Sequence, residues 1–149
     1  MIKTTSIMIV IMLLILTGCS NKEVIKHNYI YKGENEFWTV EYKANGTSIF
    51  TEKNNKTEYE SNSNNTLTVT YRKNLSDLFS VKHLEISYES SVGGGKLADD
   101  FDKDHPPNQK TYVLKSSAIG GAIEIKNEII KVNINLDGKI QTIELRNVK

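Results

Sequence analysis

Four aspartates share one loop and could bind a cation: Asp99, Asp100, Asp102 and Asp104. Three of them, Asp100, Asp102 and Asp104, alternate as carboxylates do at the start of a calcium-binding loop, where several oxygens must converge on a hard cation. The pattern then departs from such a loop, because His105 stands where its sharp turn needs glycine and Thr111 where it needs a bidentate glutamate. The sequence predicts a solvated acidic loop, with a weak Ca²⁺ site at these three aspartates as the alternative.

A second set of carboxylates surrounds the only tryptophan. Glu34, Glu36 and Glu41 flank Trp38, and paired carboxylates beside an aromatic platform are typical of sugar hydrolysis. The alternative is that Trp38 packs in the core, since it carries a large apolar area and lies in an alternating strand pattern. The chain has no nucleophile elbow and no pair of histidines at metal-ligand spacing. We therefore expect core packing for Trp38 and a protein that is not an enzyme.

The only cysteine, Cys19, follows an apolar stretch near the N-terminus. Lys3 precedes the apolar residues 7–16, and the small residues Thr17 and Gly18 lead to Cys19. This is the layout of a secretory signal peptide with its cleavage site. A transmembrane helix is the alternative, but the stretch is shorter than the about 20 residues that a span requires. We expect residues 1–18 to be removed as a signal peptide.

The run Leu16-Thr17-Gly18-Cys19 resembles the lipobox of bacterial lipoproteins. This resemblance implies that the Cys19 thiol is diacylated and that Cys19 becomes the first residue of the mature chain. Two acyl chains anchor a protein stably, whereas a single chain binds marginally. Residues 31–42 with Asn45-Gly46-Thr47 are also similar to a block in small, uncharacterised lipoproteins of low-GC Gram-positive bacteria. The resemblance implies a lipid-anchored all-β protein on the extracytoplasmic face of the cell membrane.

The charge balance limits the partners of the chain. It carries 19 Lys and Arg against 18 Asp and Glu, and Lys3 would leave with the signal peptide. A net charge near zero argues against nucleic acid as a partner, because nucleic-acid binding requires a basic surplus. With one cysteine in the chain, an internal disulfide is excluded. Stability must therefore come from a packed core.

Beyond a polar tether at residues 19–26, the apolar pattern has a period of two. Three runs, 38–42, 67–71 and 84–88, alternate apolar with polar residues, and each predicts a half-buried strand. The aromatic residues near the start of the domain, such as Tyr31 and Tyr42, predict either a core or an exposed binding patch. The segment 74–79 could form one short helical turn.

The C-terminal residues predict a hairpin with a defined register. Asp137-Gly138 is a two-residue type I′ turn signal between two alternating runs. If these two residues form the loop, Leu136 lies opposite Lys139. The further pairs are then Asn133 with Thr142, Val132 with Ile143, Lys131 with Glu144, and Ile130 with Leu145.

Polar and glycine-rich segments predict where other strands end. Lys53-Asn54-Asn55-Lys56 could join a hairpin between 48–52 and 57–61. We expect the remaining interruptions at Ala44-Asn45-Gly46, at 61–65, at Val92–Lys96, at the long loop 97–109 and at 118–122.

Eight or nine short strands without a long helix predict one all-β domain, residues 27–149. We favour an immunoglobulin-like β-sandwich of about seven to nine antiparallel strands, with a small β-barrel as the alternative. The leading functional hypothesis is a non-enzymatic module that binds a protein or glycan of the cell envelope. A lipoprotein that binds a small molecule or a cation is the second hypothesis, and an envelope hydrolase is the third.

Overall fold

A computed structural model describes residues 21–149 of the chain, and these form eight strands in a single antiparallel sheet. The strands are β1 (Asn21–Glu34), β2 (Trp38–Lys53), β3 (Lys56–Tyr71), β4 (His83–Ser90), β5 (Gly93–Asp100), β6 (Thr111–Ile119), β7 (Ile129–Leu136) and β8 (Lys139–Asn147). Their order in the sheet is β5-β4-β7-β8-β1-β2-β3-β6. The prediction of an all-β domain with seven to nine antiparallel strands is confirmed.

The sheet curls until it is nearly closed. Each edge strand pairs with one neighbour, β5 with β4 and β6 with β3. Cα atoms of β5 and β6 nevertheless come within 8 Å of each other, so the two edges face each other across a seam. This closure is consistent with both architectures considered, the β-sandwich and the small β-barrel.

One half of the interior is apolar. Alternate residues of β2, β3, β4, β7 and β8 point inward because successive side chains of a strand lie on opposite faces. Trp38 is fully buried and packs its ring against that of Tyr71, with 5.0 Å between centroids. The expectation of core packing for Trp38 is confirmed. The other large buried side chains include Tyr31, Val40, Tyr42, Leu67, Val69, Leu84, Ile86, Ile130, Val132, Ile134 and Leu145.

Both predicted hairpins are present. Asp137 and Gly138 have φ angles of 50° and 86°, as a type I′ turn requires. The β7–β8 register pairs Leu136 with Lys139 and Ile130 with Leu145. The predicted register is confirmed at all five positions. Asn54 and Asn55 join β2 to β3, also with positive φ angles.

Several predicted breaks are instead continuous strand. β2 runs through Ala44-Asn45-Gly46 to Lys53, and β3 runs through residues 61–65 to Tyr71. β5 begins at Gly93, within the segment predicted to be a flexible connection. The polar residues of β3 keep the strand period because the interior that they face is itself polar. The short helical turn expected at 74–79 is confirmed as a 3-10 turn at Leu75–Leu78.

The expected tether also forms strand from Asn21 onward. Residues 21–26 of β1 pair with residues 47–52 of β2, which pair in turn with the start of β3. β6 and β8 pair only with later parts of these strands. The three segments therefore form a ribbon, residues 21–26, 47–53 and 56–61, that projects from the curled sheet. Residues 21–26 of the expected tether are thus strand, because cross-strand pairing orders a segment that polar composition alone marks as loose.

Candidate functional site

The aspartates predicted to bind calcium are engaged separately. Asp100 ends β5 and places Oδ1 2.6 Å from His83 Nδ1. Asp102 Oδ1 accepts hydrogen bonds from the backbone N–H groups of Asp104 and His105, and the bonds with His105 lower the pKa of Asp102. Among residues 21–149, no three His, Cys, Asp or Glu side chains are grouped to hold a metal ion. In this part of the chain Asp100 and Asp102 each have their own partner, which agrees with the expected solvated acidic loop; the weak Ca²⁺ site at Asp100, Asp102 and Asp104 stays an alternative.

The glutamates near Trp38 form surface ion pairs. Glu41 lies 3.0 Å from Lys32 and 3.1 Å from Lys43, and these two lysines lower its pKa. Glu34 pairs with Arg72, and Glu36 pairs with Lys73. Each carboxylate therefore has its own cation. Cys19, the predicted lipidation site, lies outside the described residues.

The residue with the most unusual environment is Glu124, in the loop between β6 and β7. Its side chain is buried, with 1% of the residue exposed. Glu124 Oε1 accepts hydrogen bonds from Tyr42 Oη at 2.6 Å and from Asn65 Nδ2 at 3.0 Å. Ser90 Oγ approaches the same oxygen at 3.4 Å. Glu124 Oε2 is buried and has no hydrogen-bond partner.

The partners of Glu124 are neutral groups. None of the ion pairs formed by the described residues involves Glu124. Burial and the hydrogen bond to Glu124 both raise the pKa of Tyr42 well above its ordinary value. Tyr42 therefore keeps its proton and remains a donor to the carboxylate.

The loop that carries Glu124 is held against the polar part of the sheet. Tyr59 and Ser61 of β3 both donate side-chain hydrogen bonds to the carbonyl oxygen of Gly121, at 3.2 and 2.5 Å. Ile123 packs where Gly46 has no side chain, since a Cβ atom on Gly46 would lie 2.7 Å from Ile123 Cδ1. These contacts position the loop so that Glu124 points between the strands.

A cavity of about 200 Å³ lies beside Glu124. Tyr42 and Tyr88 form aromatic walls, with ring centroids 5.2 Å apart. The polar wall consists of Ser63, Asn65, Ser90, Ser116, Ser117 and Glu124. Small pockets with a few convergent polar groups are typical of ligand sites.

The cavity lies at the seam between the edge strands. Its lining includes Gly93 and Gly94 of β5 and Ser116 of β6. Tyr88 of β4 reaches across the seam, and its hydroxyl lies 3.1 Å from Ser116 Oγ. Gly95 makes this contact feasible, because a Cβ atom there would lie 2.6 Å from the Tyr88 ring. Because β5 and β6 do not pair with each other at the seam, strand pairing does not close the cavity on this side.

The sequence carried one signal for this site. The inward positions of β3 read Ser61, Ser63 and Asn65 before they turn apolar at Leu67. This alternation predicts a strand whose inner face changes from polar to apolar. Glu124 itself has no local signal, because its partners Tyr42 and Asn65 lie 82 and 59 residues away in the chain.

Comparisons with protein-family models, with curated proteins and with solved structures gave no match. Within residues 21–149, no helix has the length and apolar character needed to cross a bilayer.

Proposed function

We propose that this chain is a lipoprotein anchored to the extracytoplasmic face of the cell membrane through Cys19, and that its domain is a non-enzymatic module that binds a small molecule. The anchor rests on the signal layout and on the lipobox resemblance of Leu16-Thr17-Gly18-Cys19. The binding role rests on the cavity beside Glu124. The two parts are independent and are tested separately.

The anchor is tested with Cys19→Ala in a bacterium that processes lipoproteins. We expect the wild-type chain to incorporate labelled palmitate and to sediment with membranes, because two acyl chains hold a protein stably on a bilayer. The Cys19→Ala chain should lose both properties. Equal membrane retention of the two chains would contradict the proposal.

The single observation that carries the binding role is the buried carboxylate that faces the cavity. A buried side-chain oxygen without a hydrogen-bond partner costs free energy, and such a cost is typical of a site that is shaped for a ligand rather than for stability. The cavity is smaller than the pockets that hold drug-sized molecules, about 300–1,000 Å³. It fits a solute of a few heavy atoms.

The binding role is tested with a panel of amino acids, amino sugars, sugars and polyols, by ligand-detected NMR on the purified full chain in detergent. Ser63 lines the cavity, so Ser63→Leu should fill it and remove any binding found with the wild type. Its matched control is Asn64→Leu, on the neighbouring outward position. Binding that survives Ser63→Leu would place the ligand elsewhere.

A second candidate function is docking of an envelope protein or glycan. Ile119 and Ile125 flank the Glu124 loop and are 92% and 64% exposed. Apolar side chains this exposed beside a site favour contact with a partner. Cross-linking of the lipidated chain in membranes should then give a product that Ile119→Asn removes. A product unchanged by Ile119→Asn and Ile125→Asn would contradict this candidate.

A further inference from the structure

We propose that the ligand of the Glu124 cavity carries a primary ammonium group, which binds between Glu124 and Asn65. This inference rests on the proposed binding function and names the chemical class of the ligand. It follows from the hydrogen-bonding groups, the charge and the walls of the cavity.

Two of the residues that line the cavity each carry a buried acceptor without a hydrogen-bond partner. Glu124 Oε2 has no partner, and neither has Asn65 Oδ1. The Asn65 amide donates through Nδ2 to Glu124 Oε1. The amide oxygen is left as an acceptor. A ligand that satisfies both atoms must donate at least two hydrogen bonds.

The charge of the cavity favours a cation. Glu124 is buried, and none of the ion pairs among the described residues involves it. A cationic donor would compensate the buried charge and would form a charge-assisted hydrogen bond, which is stronger than a neutral one. Tyr42 and Tyr88 line the same cavity, and aromatic rings attract ammonium groups.

A divalent metal ion fits this cavity less well than an ammonium group. Calcium takes six to eight oxygen ligands and usually several carboxylates, whereas Glu124 is the only carboxylate in the lining. The volume of about 200 Å³ also exceeds that of an ion. An ammonium group donates three hydrogen bonds, and the remaining space accommodates the rest of a small organic molecule.

The test compares matched compounds in which a primary ammonium replaces a hydroxyl. The pairs are ethanolamine with ethylene glycol, glucosamine with glucose, and benzylamine with benzyl alcohol. Binding to the purified full chain is measured by titration calorimetry. We expect the ammonium member of at least one pair to bind about tenfold tighter or more. Glu124→Gln should remove this preference, whereas Glu128→Gln, which changes a carboxylate outside the cavity lining, should retain it.

The outcomes separate this inference from the proposed function. If both compounds of a pair bind equally, or the hydroxyl compound binds more tightly, the ammonium assignment is wrong. The binding function still stands if Ser63→Leu abolishes the binding of these compounds. A preference for ammonium that persists in folded Glu124→Gln also overturns the assignment. If no member of any pair binds at millimolar concentration while the solute panel contains a ligand without an amine, the assignment is wrong and the function stands. If neither set binds, both are rejected.

Discussion

At Glu124 the charge and the hydrogen bonds make separate contributions that two substitutions can distinguish. In Glu124→Gln the amide oxygen can still accept the bonds from Tyr42 and Asn65, and the cost of the buried charge disappears. We expect the free energy of unfolding of this variant to stay within about 1 kcal/mol of wild type or to rise. Urea denaturation in the absence of ligand measures it.

Glu124→Leu provides the comparison. It leaves the donors of Tyr42 and Asn65 without an acceptor, and each unpartnered buried donor costs about 1–3 kcal/mol. We expect a loss of about 2–4 kcal/mol in the free energy of unfolding. A Gln variant as unstable as the Leu variant would show that the charge itself stabilises the fold.

The raised pKa of Tyr42 predicts that the free energy of unfolding falls at alkaline pH. Its pKa is raised in the folded chain, first by burial and then by the hydrogen bond to Glu124, from an ordinary value of 10.0. Above pH 10 the unfolded chain therefore releases a proton that the folded chain keeps, and stability falls by about 1.4 kcal/mol per pH unit for each such tyrosine. Tyr42→Phe should give a shallower fall in urea denaturation above pH 10. An unchanged slope would exclude this contribution.

Individual residues differed in how far the sequence could predict them. Trp38 was predicted to be buried because its own strand pattern and its size carry that information. The aspartates of residues 99–104 are close in sequence, but Asp99 and Asp100 lie in β5 and Asp102 and Asp104 in the following loop, so closeness in sequence did not group their oxygens. Glu124 could not be predicted, because its environment arises from β2 and β3 and depends on the complete fold.

Among the structural elements, the β7–β8 hairpin depends on its turn. Gly138 has a φ of 86°, a conformation that a β-branched side chain adopts only with strain. Gly138→Val should lower the free energy of unfolding by about 1–2 kcal/mol, as measured in urea. The control is Lys139→Val, an exposed strand position where valine is favourable. Equal stability of the two variants would contradict the role of the turn.

The elements also show where local patterns stop being informative. The hairpins were predicted correctly because the residues that determine the turn and the register lie close together in the chain. The pairing of β1 with β8 and of β3 with β6 joins segments far apart in the chain, and no local pattern specifies it. Residues 44–46 and 61–65 were predicted as breaks because polar composition was taken to mean exposure, whereas Ser61, Ser63 and Asn65 face a polar interior.

At the scale of the whole molecule, the ribbon would set the distance between the domain and a membrane if Cys19 carries the proposed lipid anchor. β1 begins two residues after Cys19, and Asn21 pairs with Glu52 near the Asn54-Asn55 turn. If Cys19 is acylated, this turn lies at the lipid surface. The ribbon separates the curled sheet from that surface by about 20 Å, the length of six residues of strand.

Spin labels on single introduced cysteines test this arrangement, since Cys19 is the only native cysteine. In vesicles, a label on Asn55→Cys should be relaxed strongly by a lipid-confined paramagnetic agent. A label on Lys139→Cys, at the far end of the strands, should be relaxed weakly. Equal relaxation of the two labels would indicate a flexible tether instead of a ribbon.

The seam between β5 and β6 also has a consequence for the behaviour of many copies on one membrane. An open sheet edge is a template on which another chain can add a strand, and confinement to two dimensions would favour such growth. Here the two edges face each other, and the Tyr88–Ser116 contact spans the distance between them. Each edge thereby shields the other from neighbouring molecules. If the chain is anchored to a membrane as proposed, the near closure of the sheet would protect crowded copies against edge-to-edge aggregation.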